Sequence, residues 1–339
     1  MPSPILTCVV AAFNAETTIS RTLGSLISEN SMEVLIINDG STDKTKIISE
    51  KFCSFNSNFR LISQDNAGLG AVRNLGIQEA LGKYITFCDA DDIFFPKNQI
   101  QLAKSANEVD AQVACGTGYC FINSMKIENF WDSHITEKIC SYSTSLIDKN
   151  SLKFLLEPSA CNKIFLRDFL LKKNILFSEN QLFEDVLFTT DAFLKSDKII
   201  IEKLPLFIYD VHGIGSITSS INERRFEIFL TLNKLLPEIN SLNNPGSQIV
   251  CLLVSLMRVA YWCLDHTPKE FSENFISLLF ESFVKFKGKT IEQDWRSIHH
   301  FLTDPPNRRA FDALIGLLIN NLSYEQFKKQ INTHCWRAD

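Results

Sequence analysis

The sequence predicts an α/β fold, a mostly parallel sheet with flanking helices, followed by a helical C-terminal region. Three observations predict it. Residues 1–120 alternate apolar runs with helical spacings. The runs are continuous and β-branched, as expected of strands covered on both faces. Beyond about residue 220 the strand signals give way to long helical stretches.

Each element follows from local chemistry. Ile5–Ala12 is a β-branched run that stops at Phe13-Asn14, and Glu16–Ile27 has helical spacing through Ile19, Leu23 and Leu26. Met32–Asn38 is a second buried strand, closed by the turn residues Asp39-Gly40-Ser41. Ser41 or Thr42 is expected to cap the next helix, which carries Ile47, Ile48 and Phe52. Phe59–Gln64 is a third strand, Leu69–Leu81 a helix ended by Gly82, and Lys83–Cys88 a fourth strand. Residues 112–220 are mixed: a strand at Val113–Thr117, helices at Ser159–Lys173 and Glu184–Leu194, and a strand at Ile199–Tyr209. Leu230–Leu236, Ile249–Leu264 and Phe271–Phe286 read as helices. A boundary near 220 separates an N-terminal domain, with halves at about 1–118 and 119–220, from a helical extension, 221–339.

Composition narrows the function classes. Hydrophobic residues make up 45% and charged residues 22% of the 339, the balance of a globular chain. The net charge of −5 offers no basic stripe for nucleic acid. The ten cysteines form no C-x-x-C pair, and several, such as Cys8 and Cys88, lie inside apolar runs. They read as small buried hydrophobes in a reduced, cytoplasmic compartment. The N-terminus has neither the basic region nor the cleavage site of a signal peptide. Ile249–Leu264 contains Arg258 and is short for a membrane span, so a buried helix is expected.

Ligands of parallel sheets bind beyond the carboxyl ends of the strands. The polar residues there are Asn14, Glu16, Asp39, Asn66, and Asp89 with Asp91. In KYITFCDADDIFF, three carboxylates, Asp89, Asp91 and Asp92, follow a buried strand. Anions at i and i+2 beside a low-dielectric sheet repel unless paired or solvated. A divalent cation would relieve this, and hard oxygen donors suit Mg²⁺ or Mn²⁺, which would also bridge a diphosphate. An acidic turn capping the next helix is the plainer alternative.

Four segments together resemble the family 2 glycosyltransferases: VVAAFNAE in the first strand, IINDGSTDKT, NAGLGAVRNLGIQEALGKYITFCDADD, and ACNKIF with LFEDVLFTTDAF. They occur in family order over residues 4–220. The resemblance implies a GT-A fold, inverting chemistry and a nucleotide-diphosphate sugar donor, expected to be a UDP-sugar. It implies that Ala12, Phe13, Asn14 and Glu16 border the nucleotide and that Asp39 accepts a hydrogen bond from the uracil. Asn66 and Arg73 are then expected near the nucleotide and diphosphate, Asp89 at the ribose or metal, and Asp91 on the metal. The acidic base falls on Glu184-Asp185, with Asp185 preferred. Ala11-Ala12 stand where the family often has proline, and Phe13 where tyrosine is more common; a flat ring for the base is kept.

Each of these residues also has a structural reading. Asp39 is a turn-former before Gly40, and Asn66 a loop residue. Arg73 lies near the start of a helix, where a cation opposes the dipole, so it is expected to pair with Asp89, Asp91 or a phosphate. Glu184 and Asp185 complement a helix start, and adjacent helical residues point about 100° apart, so one of them faces the acceptor. Glu184 is then expected to orient a loop or a neighbouring hydroxyl. His212, in YDVHGIGSIT, is either a loop histidine or a member of the metal shell, and Gly213 and Gly215 suggest a loop that closes over the donor. Lys163 matches a family lysine, but a solvated or helix-packing lysine fits equally. Trp131 reads as a partly buried anchor, with stacking on an acceptor sugar as the alternative.

The implied reaction is one in-line displacement. Asp185 takes the acceptor proton, and the cation on Asp91 stabilises the departing nucleotide diphosphate. The acceptor is expected to be a glycan or lipid-linked hydroxyl in cell-surface polysaccharide synthesis. A nucleotidyltransferase would need a Gly-rich basic loop after the first strand, where FNAETT stands; a haloacid-type phosphatase would carry its D-x-D after the first strand. A catalytically inactive binding module is the reading from another class, and intact Asp39, Asp89, Asp91 and Asp185 weigh against it. The tail could bind acceptor, support a homo-oligomer, or rest peripherally on a membrane, since Lys285, Lys287, Lys289, Arg296, Arg308 and Arg309 give a mild basic excess.

Overall fold

The computed structural model describes residues 3–27, 32–122, 126–141, 149–211, 221–241, 246–286, 298, 302 and 305–334. The chain divides into two compact units, Met1–Cys140 with Pro158–Ser216, and Ser141–Glu157 with Ile217–Asp339.

The first unit is built on a nine-stranded sheet. Strands β1 (Leu6–Ala12), β2 (Met32–Asp39), β3 (Phe59–Gln64) and β4 (Tyr84–Asp89) are parallel in the order β3-β2-β1-β4. They are joined by helices α1 (Ile19–Ser25), α2 (Thr45–Phe55) and α3 (Leu69–Glu79). Every residue of β2 is buried, which explains the apolar run Val34–Ile37 at its centre. Beyond β4 the sheet becomes mixed. Strand β5 (Ile93–Phe94) and helix α4 (Pro96–Glu108) lead to β6 (Val113–Ile122) and β7 (Lys126–Asn129), then β8 (Lys163–Leu166) and β9 (Ile199–Asp210). β8 runs antiparallel to both β4 and β6, whereas β9 is parallel to β6. The parallel order read from the apolar runs therefore holds for the first four strands, and antiparallel pairing enters after them.

Three local expectations are corrected. Ser159–Lys173 is not one helix: its middle is β8, and only Arg167–Lys173 (α5) is helical. Its apolar residues suit either period, and β8 fills the gap between β4 and β6. Helix α2 begins at Thr45, whose N–H donates to Asp43 Oδ1 at 2.9 Å; Ser41 Oγ instead accepts the Asn14 N–H at 3.0 Å. Val113–Thr117 extends to Ile122 through a register shift against β9. Helix α6 (Glu184–Lys195) lies where the spacing predicts it.

The second unit is mainly helical. Helices α7 (Ile228–Ser241), α8 (Gly246–Asp265), α9 (Ser272–Phe283), α10 (Pro305–Leu314) and α11 (Tyr324–His334) form it with the segment Ser141–Glu157. Among the described residues, α8 is the one helix long and apolar enough to cross a membrane, and it is mostly buried within the protein. Arg258 on α8 donates to the carbonyls of Leu155 and Leu156, both at 3.3 Å, and pairs with Glu157 at 3.2 Å. Of the basic stretch, Lys287, Lys289 and Arg296 lie outside the described residues; Arg308 pairs with Asp312 at 3.2 Å.

Candidate active site

The carboxyl ends of β1, β2 and β4 carry the predicted polar residues into one region of the first unit. Ala12 is buried at the end of β1, and the Phe13 ring after it is 51% exposed, a flat apolar face open to a ligand. Asn14 takes a left-handed conformation (φ 46°), which asparagine tolerates better than most residues. Its Oδ1 accepts the Thr42 N–H at 2.9 Å, and Glu16 Oε2 accepts the Lys44 N–H at 3.1 Å. Asn14 and Glu16 thus stitch the loop after β1 to the loop after β2.

Asp39 is buried and organises the loop after β3. Its Oδ1 accepts Gln64 Nε2 at 2.7 Å and the Ala67 N–H at 2.9 Å; its Oδ2 accepts the Gly68 N–H at 2.9 Å. A carboxylate has about four lone-pair directions, so one on Oδ2 is left for a ligand. Asn66 Nδ2 donates to the Asp39 carbonyl at 3.2 Å. Gly40 is required between them: its φ is +70°, and an added Cβ would lie 2.8 Å from Asn66 N.

The turn after β4 concentrates negative charge. Asp89 Oδ1 is 2.8 Å from Arg73 Nη2, and Asp89 Oδ2 accepts the Cys161 thiol at 3.7 Å. Burial, then the Asp89 anion, push Asp91 up to about 6; Asp210 adds to this and Arg21 opposes it. Burial, Asp89 and Asp91 also raise Asp92 well above the usual carboxylate range. Asp92 is 1% exposed; its Oδ1 accepts the Asp210 N–H at 3.0 Å, and its Oδ2 is buried without a partner. The turn is braced from α1. Arg21 Nη2 donates to the Asp91 carbonyl and to Asp210 Oδ2, and Thr22 Oγ1 bonds the carbonyls of Ala90 and Asp92 at 2.9 and 2.8 Å.

Arg73 joins this turn to α6. Its Nη1 lies 2.7 Å from Glu184 Oε1, and its guanidinium sits 5.3 Å from the Phe177 ring centroid. Burial alone would lower its pKa, but Asp89 and Glu184 outweigh burial and keep it charged. The expected pairing with Asp89 is present, and the pairing with Glu184 is an addition. Burial raises Glu184 above the ordinary carboxylate value, and Arg73 opposes that. Asp185 follows on α6, half-buried, and acts electrostatically on both Arg73 and Cys161. Lys163 is fully buried on β8, with Nζ donating to the Ser159 carbonyl and to Asn162 Oδ1, both at 2.7 Å, so it is neither solvated nor on a helix. Trp131 is 52% exposed and packs against Phe130 and Tyr209. His212 lies outside the described residues.

The side chains missed from sequence are Arg21, Thr22, Gln64, Cys161 and Asp210. Asp210 and Gln64 end strands, the signal that marked Asp39 and Asp89; Arg21 and Thr22 sit inside α1 and Cys161 in the turn before β8, and these carry no such mark. The donor set fits a hard cation: Asp91 offers carboxylate oxygen in a turn where acids outnumber the guanidiniums of Arg21 and Arg73, beside the orphaned Asp92 Oδ2. Among the described residues no three Asp, Glu, His or Cys side chains converge on one point. A Mg²⁺ or Mn²⁺ there would draw much of its shell from ligand oxygens and water, as Mg²⁺ commonly does.

Residues 7–172 match the family model described as Glycosyl transferase family 2. The putative glycosyltransferase EpsH of Bacillus subtilis (strain 168) is 30% identical over 237 residues, covering 68% of each chain. The cholesterol galactosyltransferase of Borreliella burgdorferi is 26% identical over 223 residues, 63% of this chain and 62% of that one. Among solved structures, S. aureus TarS residues 1–349 in complex with UDP-GlcNAc superposes with a TM-score of 0.66 at 18% identity, over 97% of this chain and 91% of that one. The mannosyltransferase PcManGT of Pyrobaculum calidifontis, in complex with GDP-Man and Mn²⁺, gives 0.53 at 12% identity, over 99% and 88%. With the strand-end carboxylates, the mixed sheet and these likenesses together, the chain belongs to glycosyl transferase family 2 and is a glycosyltransferase of GT-A fold.

Proposed function

We propose that the protein transfers a sugar from a UDP-sugar, with inversion, to a hydroxyl of a glycan or lipid-linked acceptor in cell-surface polysaccharide synthesis, from the cytoplasmic side. The observation that carries this reading is the link from the Asp89–Asp91 turn through Arg73 to Glu184-Asp185, which sets an acidic turn for the donor beside a base for the acceptor. The binding of UDP-GlcNAc by TarS supports the choice of uridine. The transferase machinery is assigned to residues 1–220, and the helical extension 221–339 to acceptor, membrane or self-association.

Phe13 stacks on the base, with Ala12 behind it. Asn14 and Glu16 hold the loop shape, and Asp39 accepts the uracil N–H through its remaining lone pair. Asn66 borders the nucleotide and Asp89 the ribose. Asp91 would hold a Mn²⁺ or Mg²⁺, with Asp89 and His212 as the further candidates. When bound, that cation supplies Lewis-acid stabilisation of the diphosphate. Asp185 takes the proton of the acceptor hydroxyl as its oxygen attacks the anomeric carbon and the bond to the diphosphate oxygen breaks.

The test is thermal stability with UDP, with and without Mn²⁺, for the wild type and Asp91→Asn. Binding to the native state raises stability by mass action. A metal-dependent rise that Asp91→Asn abolishes is expected; UDP stabilisation that ignores both metal and substitution would remove Asp91 from the site.

A further inference from the structure

We infer that Glu184 is a positioning residue for Asp185, acting through Arg73, and that Arg73 is an internal strut between the donor turn and the base helix rather than a diphosphate contact. This rests on the reading of Asp185 as the base.

Arg73 is 3% exposed, and each end of its guanidinium is committed to a carboxylate, Asp89 on one side and Glu184 on the other. Its Nε is buried without a partner, and its face covers Phe177. A guanidinium fork suits two carboxylates held in one plane, and a lysine ammonium does not reproduce it. The next residue, Asn74, clamps the chain that leads to α6: its Nδ2 donates to the Phe177 carbonyl at 3.0 Å, and its Oδ1 accepts the Phe177 N–H at 2.8 Å. One turn earlier, an added Cβ on Gly70 would lie 2.1 Å from the Ser178 carbonyl oxygen, so the two backbones touch. Helix α3 thus grips the approach to α6 at Gly70, Asn74 and, through its side chain, Arg73.

The start of α6 needs this grip. Phe183 precedes it at φ 65°, a left-handed conformation that is strained for a bulky residue, and it offers no side-chain cap. Glu184 is the first residue of α6, and its bond to Arg73 fixes the rotation of the helix start about its axis. Asp185 is offset by about 100° on the same turn, so fixing Glu184 aims Asp185. The same guanidinium holds Asp89, which means that donor turn and base are positioned by one buried charge.

The full chain is assayed as wild type, Glu184→Gln, Arg73→Lys and Asp185→Asn. UDP affinity is measured by calorimetry with Mn²⁺, turnover as UDP released from a UDP-sugar, and folding by thermal melting. Glu184→Gln keeps an acceptor for Arg73 and is expected to stay folded, to bind UDP within about twofold of wild type, and to lose at least about tenfold in kcat. Arg73→Lys loosens Asp89 as well as Glu184 and is expected to lose at least the same factor in kcat, together with some UDP affinity. UDP affinity falling while kcat holds would make Arg73 a nucleotide contact and overturn the strut. Unchanged kcat in Glu184→Gln, with Asp185→Asn inactive, would overturn the positioning role and leave the base assignment standing. Full turnover in Asp185→Asn would instead overturn the base assignment on which the inference rests.

Discussion

Replacing Gly70 by alanine should separate activity from stability. The added Cβ would lie 2.1 Å from the Ser178 carbonyl oxygen, 3.0 Å from the Ser178 carbonyl carbon and 3.4 Å from Glu179 Cα. The obstacle is backbone rather than the tip of a flexible side chain, and ordinary contact begins at 3.4 Å. The loop leading to Asp185 must retreat by about 1 Å, and a misplacement of that size costs on the order of 10²-fold in rate. Overpacking typically costs about 1–3 kcal/mol, while alanine recovers up to about 1 kcal/mol of helix propensity. The net loss of roughly 0–2 kcal/mol leaves the protein folded, with a Tm lower by a few degrees. Gly24→Ala on α1 is the control: nothing lies within 4 Å of its added Cβ, so it should raise stability by about 0.5–1 kcal/mol and leave turnover intact. The assay is UDP release at saturating UDP-sugar, read beside thermal melts of both variants. A Gly70→Ala protein that turns over within about twofold of wild type would refute the claim that α3 sets the position of Asp185.

Asp39→Asn should cost about 2–3 kcal/mol in urea unfolding, because a charged acceptor of the Ala67 and Gly68 N–H groups becomes neutral; UDP stabilisation should vanish with it. Arg258→Met strands the carbonyls of Leu155 and Leu156 and the carboxylate of Glu157 in the second unit. An urea-midpoint loss equivalent to about 3 kcal/mol is expected, and no loss would show the pair to be idle. Burial and the Asp89 anion push the Cys161 thiol up, so native protein at pH 8 should be alkylated first at exposed Cys140 and spared at Cys161, as mass spectrometry would show.

What was legible in the sequence was whatever repeats locally. β1, β2 and β4 announce themselves because each is buried on both faces and so carries an apolar run, and the residues just after them had to be either turn-formers or ligands. β8 was not legible: its four residues, Lys163–Leu166, begin with a lysine whose charge is met inside the protein, a pattern that reads equally as one turn of helix. The Arg73–Glu184 bond spans 111 residues, and nothing in the neighbourhood of either residue encodes the other. Arg21 was hidden for the same reason. It sits on a helix face, where an arginine needs no explanation, and its partners Asp91 and Asp210 are 70 and 189 residues away.

The charge balance at the turn gives the sharpest test of a cation. Asp89, Asp91, Asp92, Glu184 and Asp210 meet two guanidiniums, Arg73 and Arg21, and burial together with this excess of acids pushes Asp91 and Asp92 up. Asp91 stands at about 6 in the folded protein against 3.8 unperturbed. The native state therefore holds the proton more tightly than the unfolded chain, so this stabilisation is full below pH 3.8 and is lost as pH rises through about 6. A cation on Asp91 must displace that proton. Metal affinity should then fall about tenfold per pH unit below 6 and level off above it. Calorimetry of Mn²⁺ with UDP, in two buffers of different ionisation enthalpy, should detect proton release at pH 5.5 and much less at pH 8. Asp91→Asn, which should lose the metal-dependent binding, should lose this proton release with it. Equal proton release from both proteins at pH 5.5 would mean that Asp91 is not where the cation binds.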